Sequence, residues 1–311
     1  MSDTRSPLPI GAMVRAPRHW PLLFAIGLGW FSVRLSLPAQ GLVAGPIGFL
    51  LARSGRIRRI TEANIRACFP AMEQEERAAL ARRATGELAR SVLETLKVWL
   101  SYTDTHRHFA LADYEGTEHL EAALASGKGI LLISCHYGAL DLNGALFARL
   151  LKHRRRFVGV YRRPTDDMAN AFVQWGRTRM LDKAVPVQNT REIFAELKGG
   201  SIVWFAPDLE VTGQGAVFAP FFAAPASTTT SPARLAGKTG AIVLPVRHER
   251  NGRRYRFQVL PPLPDFPTGD AETDAATINA TIAEIVAPDP APYWWCIKRF
   301  RRRPDGLPTI Y

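Results

Sequence analysis

Short apolar runs alternate with longer amphipathic stretches through most of this chain. Gly129-Ile-Leu-Leu-Ile-Ser-Cys135 is a continuous apolar run entered through Gly127 and Gly129, the pattern of a strand buried on both faces. Residues 157–161, 201–206, 241–247 and 255–260 read as further strands. Residues 140–151, 168–181, 191–197, 231–239 and 273–286, lying among them, read as helices. Upstream, residues 62–100 are helical by their Ala, Leu, Glu and Arg content, and Pro70 marks the entry to the proline-free stretch 73–99. Strands alternating with helices predict an α/β fold with a mainly parallel central sheet flanked by helices. The proline-rich stretch 261–268 reads as a loop inside the domain. No repeat or long linker divides residues 61–311, which are expected to form one catalytic domain.

Residues 1–60 follow a different pattern. From Thr4 to Ile60 there is no acidic residue, and Pro21-Leu-Leu-Phe-Ala-Ile-Gly-Leu-Gly-Trp-Phe-Ser-Val33 is an apolar run ended by Arg34. A second apolar stretch continues to Leu51 with Pro38 and Pro46 inside it. A helix over the first run reaches about 20 Å at ~1.5 Å per residue, short of the ~30 Å hydrocarbon core of a bilayer. The expectation is a helical membrane-attachment segment that either spans with Arg34 snorkelling or lies in the interface. Arg53, Arg56, Arg58 and Arg59 follow the apolar part, against Arg15 and Arg18 before it. This excess favours placing the following domain on the cytoplasmic side of the membrane.

Charge narrows the partners without choosing one. The 311 residues hold 40 Lys+Arg against 28 Asp+Glu, a formal +12, which attracts nucleic acid, anionic membrane, phosphorylated lipid or an acidic protein. Cys68, Cys135 and Cys296 are an odd number without a CxxC, so neither a disulfide framework nor a zinc site is expected. His106 and His108 have no HExxH or Cys/His cluster around them, and no metal is expected.

One constellation carries chemistry. His136 directly follows the strand ending at Cys135, at the end of a sheet strand where α/β proteins bind ligands. Asp141 opens the next helix, and a strand–loop–helix path lets its carboxylate reach back to one imidazole nitrogen while the other faces substrate. Cys135 should point away from His136 into the core. GxSxG, GxGxxG and Walker A sequences are absent. Arg162, Arg163, Arg177 and Arg179 form either a phosphate-binding group or a solvated basic face. Asp208, after another strand, could face the same crevice. The tail Tyr293-Trp-Trp-Cys-Ile-Lys-Arg-Phe-Arg-Arg-Arg303 reads as an interfacial belt or a nucleic-acid patch.

In order along the chain stand Asn64-Ile-Arg-Ala-Cys-Phe-Pro70, Gly127-Lys-Gly-Ile-Leu-Leu with His136-x4-Asp141, Gly159-Val-Tyr-Arg-Arg-Pro164 and Trp175-Gly-Arg-Thr-Arg179. Val203-Trp-Phe-Ala-Pro-Asp208, Val217-Phe-Ala-Pro-Phe-Phe222, Thr228-Thr-Thr230 and Arg299-Phe300 with Arg303-Pro-Asp-Gly306 follow. Together these resemble the lipid A biosynthesis (lauroyl/myristoyl) acyltransferases of the lysophospholipid acyltransferase superfamily. Leu209 and Glu210 stand where that family often has a polar Gln or His and then Asp after Pro-Asp. The resemblance implies a lysophospholipid acyltransferase-like fold and O-acyl transfer. The donor would be an acyl thioester on acyl carrier protein, and the acceptor a hydroxyl of a phosphorylated lipid A precursor. No cofactor and no nucleic acid are implied. It implies His136 as general base and Asp141 as its orienting partner. Backbone N–H near Gly138 would hold the oxyanion, Arg162, Arg163, Arg177 and Arg179 would bind substrate, and Asp208 would assist there. A lysophospholipid or another glycolipid is the alternative acceptor. A non-catalytic basic protein binding membrane or nucleic acid is the alternative of another class.

Overall fold

The computed structural model describes residues 8, 10–101, 112–213, 215–252 and 254–311. Its strands are β1 (Ala112–Glu115), β2 (Ile130–Ile133), β3 (Phe157–Tyr161), β4 (Lys183–Pro186), β5 (Ile202–Phe205), β6 (Ala216–Phe221), β7 (Ala224–Thr229), β8 (Ile242–Asn251) and β9 (Arg254–Val259). Seven of them form one sheet in the order β1-β9-β8-β2-β5-β3-β4, and β6 and β7 pair separately as an antiparallel hairpin. Within the sheet only β8 and β9 pair antiparallel; the other neighbours are parallel.

Every residue of β2 and β5 is buried. Alternate side chains of a strand face opposite layers. Leu131, Ile133, Val203 and Phe205 therefore enter one core with Ile278 and Ile282, while Ile130, Leu132, Ile202 and Trp204 enter the other with Leu142, Leu146 and Phe147. The helices that cover these faces include α6 (Thr117–Ala125), α7 (Leu140–Leu151), α8 (Asp167–Arg177), α9 (Thr190–Lys198), α10 (Ser231–Thr239) and α11 (Ala271–Val286). Both layers confirm the expected α/β architecture.

The N-terminal helices are α1 (Ile10–Arg15), α2 (Trp20–Ser32), α3 (Leu37–Arg53), α4 (Gly55–Cys68) and α5 (Gln74–Ser101). Residue 60 lies inside α4, so the expected boundary between residues 1–60 and 61–311 falls within a helix. Pro70 separates α4 from α5. α2 and α3 pack along α5. A Cβ on Gly48 would lie 2.6 Å from Gly86 Cα, so α3 and α5 cross almost backbone to backbone. Near the other end, buried Lys97 of α5 donates to Val33 O at 2.6 Å and Leu35 O at 2.9 Å, closing the carbonyls at the end of α2. Burial holds the Lys97 ammonium below its usual range. Phe24, Phe31, Leu42 and Leu50 face outward and are exposed. Among the described residues no helix is long and apolar enough to cross a membrane. His106 and His108 lie outside the described residues.

Candidate active site

The register of β2 on β5 builds the centre of the site. Ile133 is paired with Phe205, and Ser134 N donates to Phe205 O at 3.0 Å. Three residues beyond that pair, on each strand, come His136 and Asp208. The His136 amide donates to Asp208 Oδ2 at 2.8 Å, and its Nδ1 lies 2.7 Å from Asp208 Oδ1. Asp208 is 1% exposed, whereas the His136 side chain is 16% exposed and lines a cleft. Burial alone would push the Asp208 carboxyl up. The His136 charge and its two hydrogen bonds, with help from Arg299, outweigh that and hold it below the ordinary carboxylate range. An ionised acceptor at Nδ1 keeps that nitrogen protonated, so Nε2 is left with the lone pair.

Asp141 does not take this position, and the expected His136–Asp141 pairing is corrected. Arg177, the last residue of α8, grips the Asp141 carboxylate with Nε to Oδ1 at 2.8 Å and Nη2 to Oδ2 at 3.3 Å. The reason is geometric. The turn at Tyr137-Gly138-Ala139, with Gly138 at φ +52, carries the start of α7 toward α8. There a guanidinium fork matches a carboxylate at two points. Sheet register has already given His136 Nδ1 to Asp208. Asp141 and Arg177 nevertheless line the same cleft as His136.

The cleft has a volume of about 920 Å³. Leu140, Val160, Val173, Phe205 and Trp99 give it apolar walls, and Arg162, Arg163, Arg177, Lys298 and Arg301 supply cations. Arg162 donates to Glu210 O at 3.0 Å, and exposed Arg163 pairs with Asp167 at 2.8 Å. Arg179 is not with them; its guanidinium lies over the Trp175 ring, 4.8 Å from the centroid. Asp208 spends both oxygens on His136 rather than on a substrate. The Gly138 N–H is also committed, donating to Pro292 O at 2.8 Å, so Gly138 shapes the turn instead of holding an oxyanion. A Cβ at Gly138 would sit 3.0 Å from Nε2 of His248. Cys135 is core, and burial raises its thiol well above the ordinary range. No group of three or more His, Cys, Asp or Glu among the described residues could hold a metal ion.

The tail is a structural wall rather than the surface belt or patch expected. Tyr293, Trp295, Arg299 and Phe300 are buried. Trp294 lines the cleft, with its N–H on His136 O at 2.9 Å, its indole N–H on Gly138 O at 2.9 Å and its ring 5.4 Å from the imidazole. Glu210 ties the tail down by accepting from Arg302 N at 2.7 Å. The alternation of Tyr293 and Trp295 with Trp294 was the available sign that this segment has an inside and an outside.

Residues 11–302 match the family model described as bacterial lipid A biosynthesis acyltransferase. The chain is 31% identical over 299 residues to the lipid A biosynthesis lauroyltransferase of Escherichia coli K12, covering 95% of this chain and 96% of the relative. It is 31% identical over 301 residues to the palmitoleoyltransferase of the same strain, covering 95% of each. A phosphatidylinositol mannoside acyltransferase of Mycobacterium tuberculosis H37Rv is 30% identical over 182 residues, 57% of this chain and 56% of that one.

Proposed function

The chain belongs to the bacterial lipid A biosynthesis acyltransferase family, and from that membership we propose how its own residues carry out secondary acylation of a lipid A precursor. The carrying observation is the imidazole of His136, fixed at Nδ1 by buried Asp208 and open to the cleft on its other side. In this reading Nε2 takes the proton of an acceptor hydroxyl as that oxygen attacks the carbonyl of an acyl thioester on acyl carrier protein. The tetrahedral intermediate collapses by breaking the C–S bond, and the imidazolium returns its proton to the carrier thiolate. An ester and a free thiol result. Asp208 supports the transient imidazolium.

Asp141 and Arg177 serve together: the carboxylate aims the guanidinium into the cleft, where it can meet the developing oxyanion or a phosphate. Arg162 and Arg163 suit the phosphates of the acceptor. The cationic rim suits an acidic carrier.

Membrane attachment belongs to the same proposal. The exposed Phe24, Phe31, Leu42 and Leu50 make an apolar face on α2 and α3, larger than scattered surface residues need. Arg34 stacks on Trp30 at 3.4 Å and Arg53 on Phe49 at 4.0 Å, so aromatic and cation share a boundary suited to an anionic bilayer surface. Residues 1–60 therefore attach the domain of residues 61–311 to the cytoplasmic face of the inner membrane, lying in the interface. A different phosphorylated glycolipid is the second reading of the acceptor, favoured by the shared 182 residues with the mannoside acyltransferase.

The test is transfer of labelled acyl from acyl carrier protein to a tetra-acylated lipid A precursor. Wild type forms the acyloxyacyl product, and His136→Ala slows it by about 10²–10⁴. An unchanged rate in a folded His136→Ala protein would remove the mechanism. Activity confined to another glycolipid would select the second acceptor.

A further inference from the structure

Arg299 lines a small cavity together with Asp208, one that His136 does not line. It is 3% exposed, and its fork is spent on neutral groups: Nη1 on Ser227 O at 2.6 Å and Nη2 on Thr228 Oγ1 at 2.9 Å, with Asn279 Oδ1 at 3.5 Å. Its Nε has no hydrogen-bond partner among the described residues. Asp208, Arg299, Tyr293 and Asn64 surround one cavity of about 10 Å³. A buried guanidinium is costly unless an anion answers it, yet no carboxylate takes its fork.

We propose that Arg299 is a positioning residue for acyl transfer: its fixed positive charge holds Asp208 as the carboxylate that orients His136. Arg299 never touches substrate and acts only through Asp208. Around Asp208 stand His136, Arg299, the Tyr293 hydroxyl and Cys135. Around Arg299 stand Asp208, Glu210, Tyr293 and Cys68, and its amide donates to the Tyr311 hydroxyl at 2.8 Å. Glu210 spends one oxygen on the Arg302 amide, while both Asp208 oxygens bond His136. The carboxylate that Arg299 stabilises is thus the one tied to the base. Removing the positive charge makes the His136–Asp208 pair hold its proton more tightly, so the pair titrates at higher pH.

The alternative role is packing alone, since the same side chain joins β7, α11 and the tail. Two variants separate charge from packing. Arg299→Gln loses charge and fork; Arg299→Lys loses the fork and keeps the charge. The measurement is the His136 imidazole titration by NMR in the full-length protein, its signal assigned by absence in His136→Ala, beside the acid limb of kcat/KM for acyl transfer. Arg299→Gln raises both midpoints by about one pH unit. Arg299→Lys leaves them in place although its melting temperature also falls. Equal shifts in both variants, or no shift in a folded Arg299→Gln, overturn the proposal. Should Arg299→Gln not fold, the same titration in Arg299→Met, which keeps the aliphatic stem without the charge, decides: raised midpoints support the proposal, and unmoved midpoints overturn it. The proposal rests on His136 being the base, but the NMR titration needs no substrate. A raised imidazole midpoint with an unmoved activity limb would therefore sink that reading and leave the link between Arg299 and Asp208 standing.

Discussion

Replacing Asp208 by Asn separates the two carboxylates of the site. Asp208 accepts from Nδ1 of His136 at 2.7 Å and from its amide at 2.8 Å, in a position that is almost fully buried. A hydrogen bond to a charged partner is worth about 1.5–3 kcal/mol, or about 10- to 150-fold in rate if it is gained with the imidazolium. An amide in its place can also donate to Nδ1 and favour the tautomer with hydrogen on Nε2, which cannot accept the hydroxyl proton. The comparable change in a Ser-His-Asp enzyme costs ~10⁴. The expectation for Asp208→Asn is a fall in kcat of about 10²–10⁴ with KM little changed, because Asp208 touches no substrate. Asp141 is bonded by Arg177 at both carboxylate oxygens, and the proposed mechanism uses the two as one unit. Asp141→Ala, Arg177→Ala and the double variant should therefore be strongly non-additive, the double costing little more than either single. Initial rates of labelled acyl transfer, with circular dichroism to confirm folding, check both. Wild-type kcat in Asp208→Asn, or additive losses at Asp141 and Arg177, would refute the reasoning.

Two further outcomes follow, one from a buried side chain and one from an exposed face. His248 is fully enclosed, and desolvation first, then Arg250, pull its imidazole from 6.5 down to about 3. The unfolded chain takes up that proton first, so His248 costs stability as pH falls from about 6.5 toward 3, by about 1.4 kcal/mol per unit. Urea denaturation across this range should show that slope, and His248→Phe should flatten it; an unaltered slope would count against a neutral buried His248. On the N-terminal face, Phe24→Glu with Leu42→Glu places charge at positions 74% and 80% exposed. Sedimentation with anionic phospholipid vesicles should drop at least about tenfold while the melting temperature holds, and undiminished sedimentation would deny that face its membrane role.

The fold was legible where the apolar pattern was strong. β2, β3, β5 and the first half of β8 are apolar runs of the kind a sheet covered on both faces requires, half-buried β9 was also readable, and the alternation of strands with helices announced a mainly parallel order. The four-residue edge strands β1 and β4, Ala112-Asp-Tyr-Glu115 and Lys183-Ala-Val-Pro186, carry too little apolar pattern to be read. The β6–β7 hairpin turns at Phe222 with φ +51, a position that sequence does not mark as a turn. At the site, His136 was legible from its place at a strand end. Its partner was misassigned because nearness in sequence stood in for nearness in space. Sheet register brings residues 72 apart into contact, and both strands had shown the same form, an apolar run with a polar residue just beyond. Arg299 was hidden differently: within a run of basic residues, nothing local distinguishes the one that turns inward.

The most direct measurement is the tautomer of His136, read from the ¹⁵N shifts of its two ring nitrogens at pH 8 in the full-length protein. The account predicts a protonated Nδ1 and a bare Nε2, with the Nδ1 proton signal displaced downfield and lost in Asp208→Asn. A protonated Nε2, or a pattern indifferent to Asp208, would contradict it.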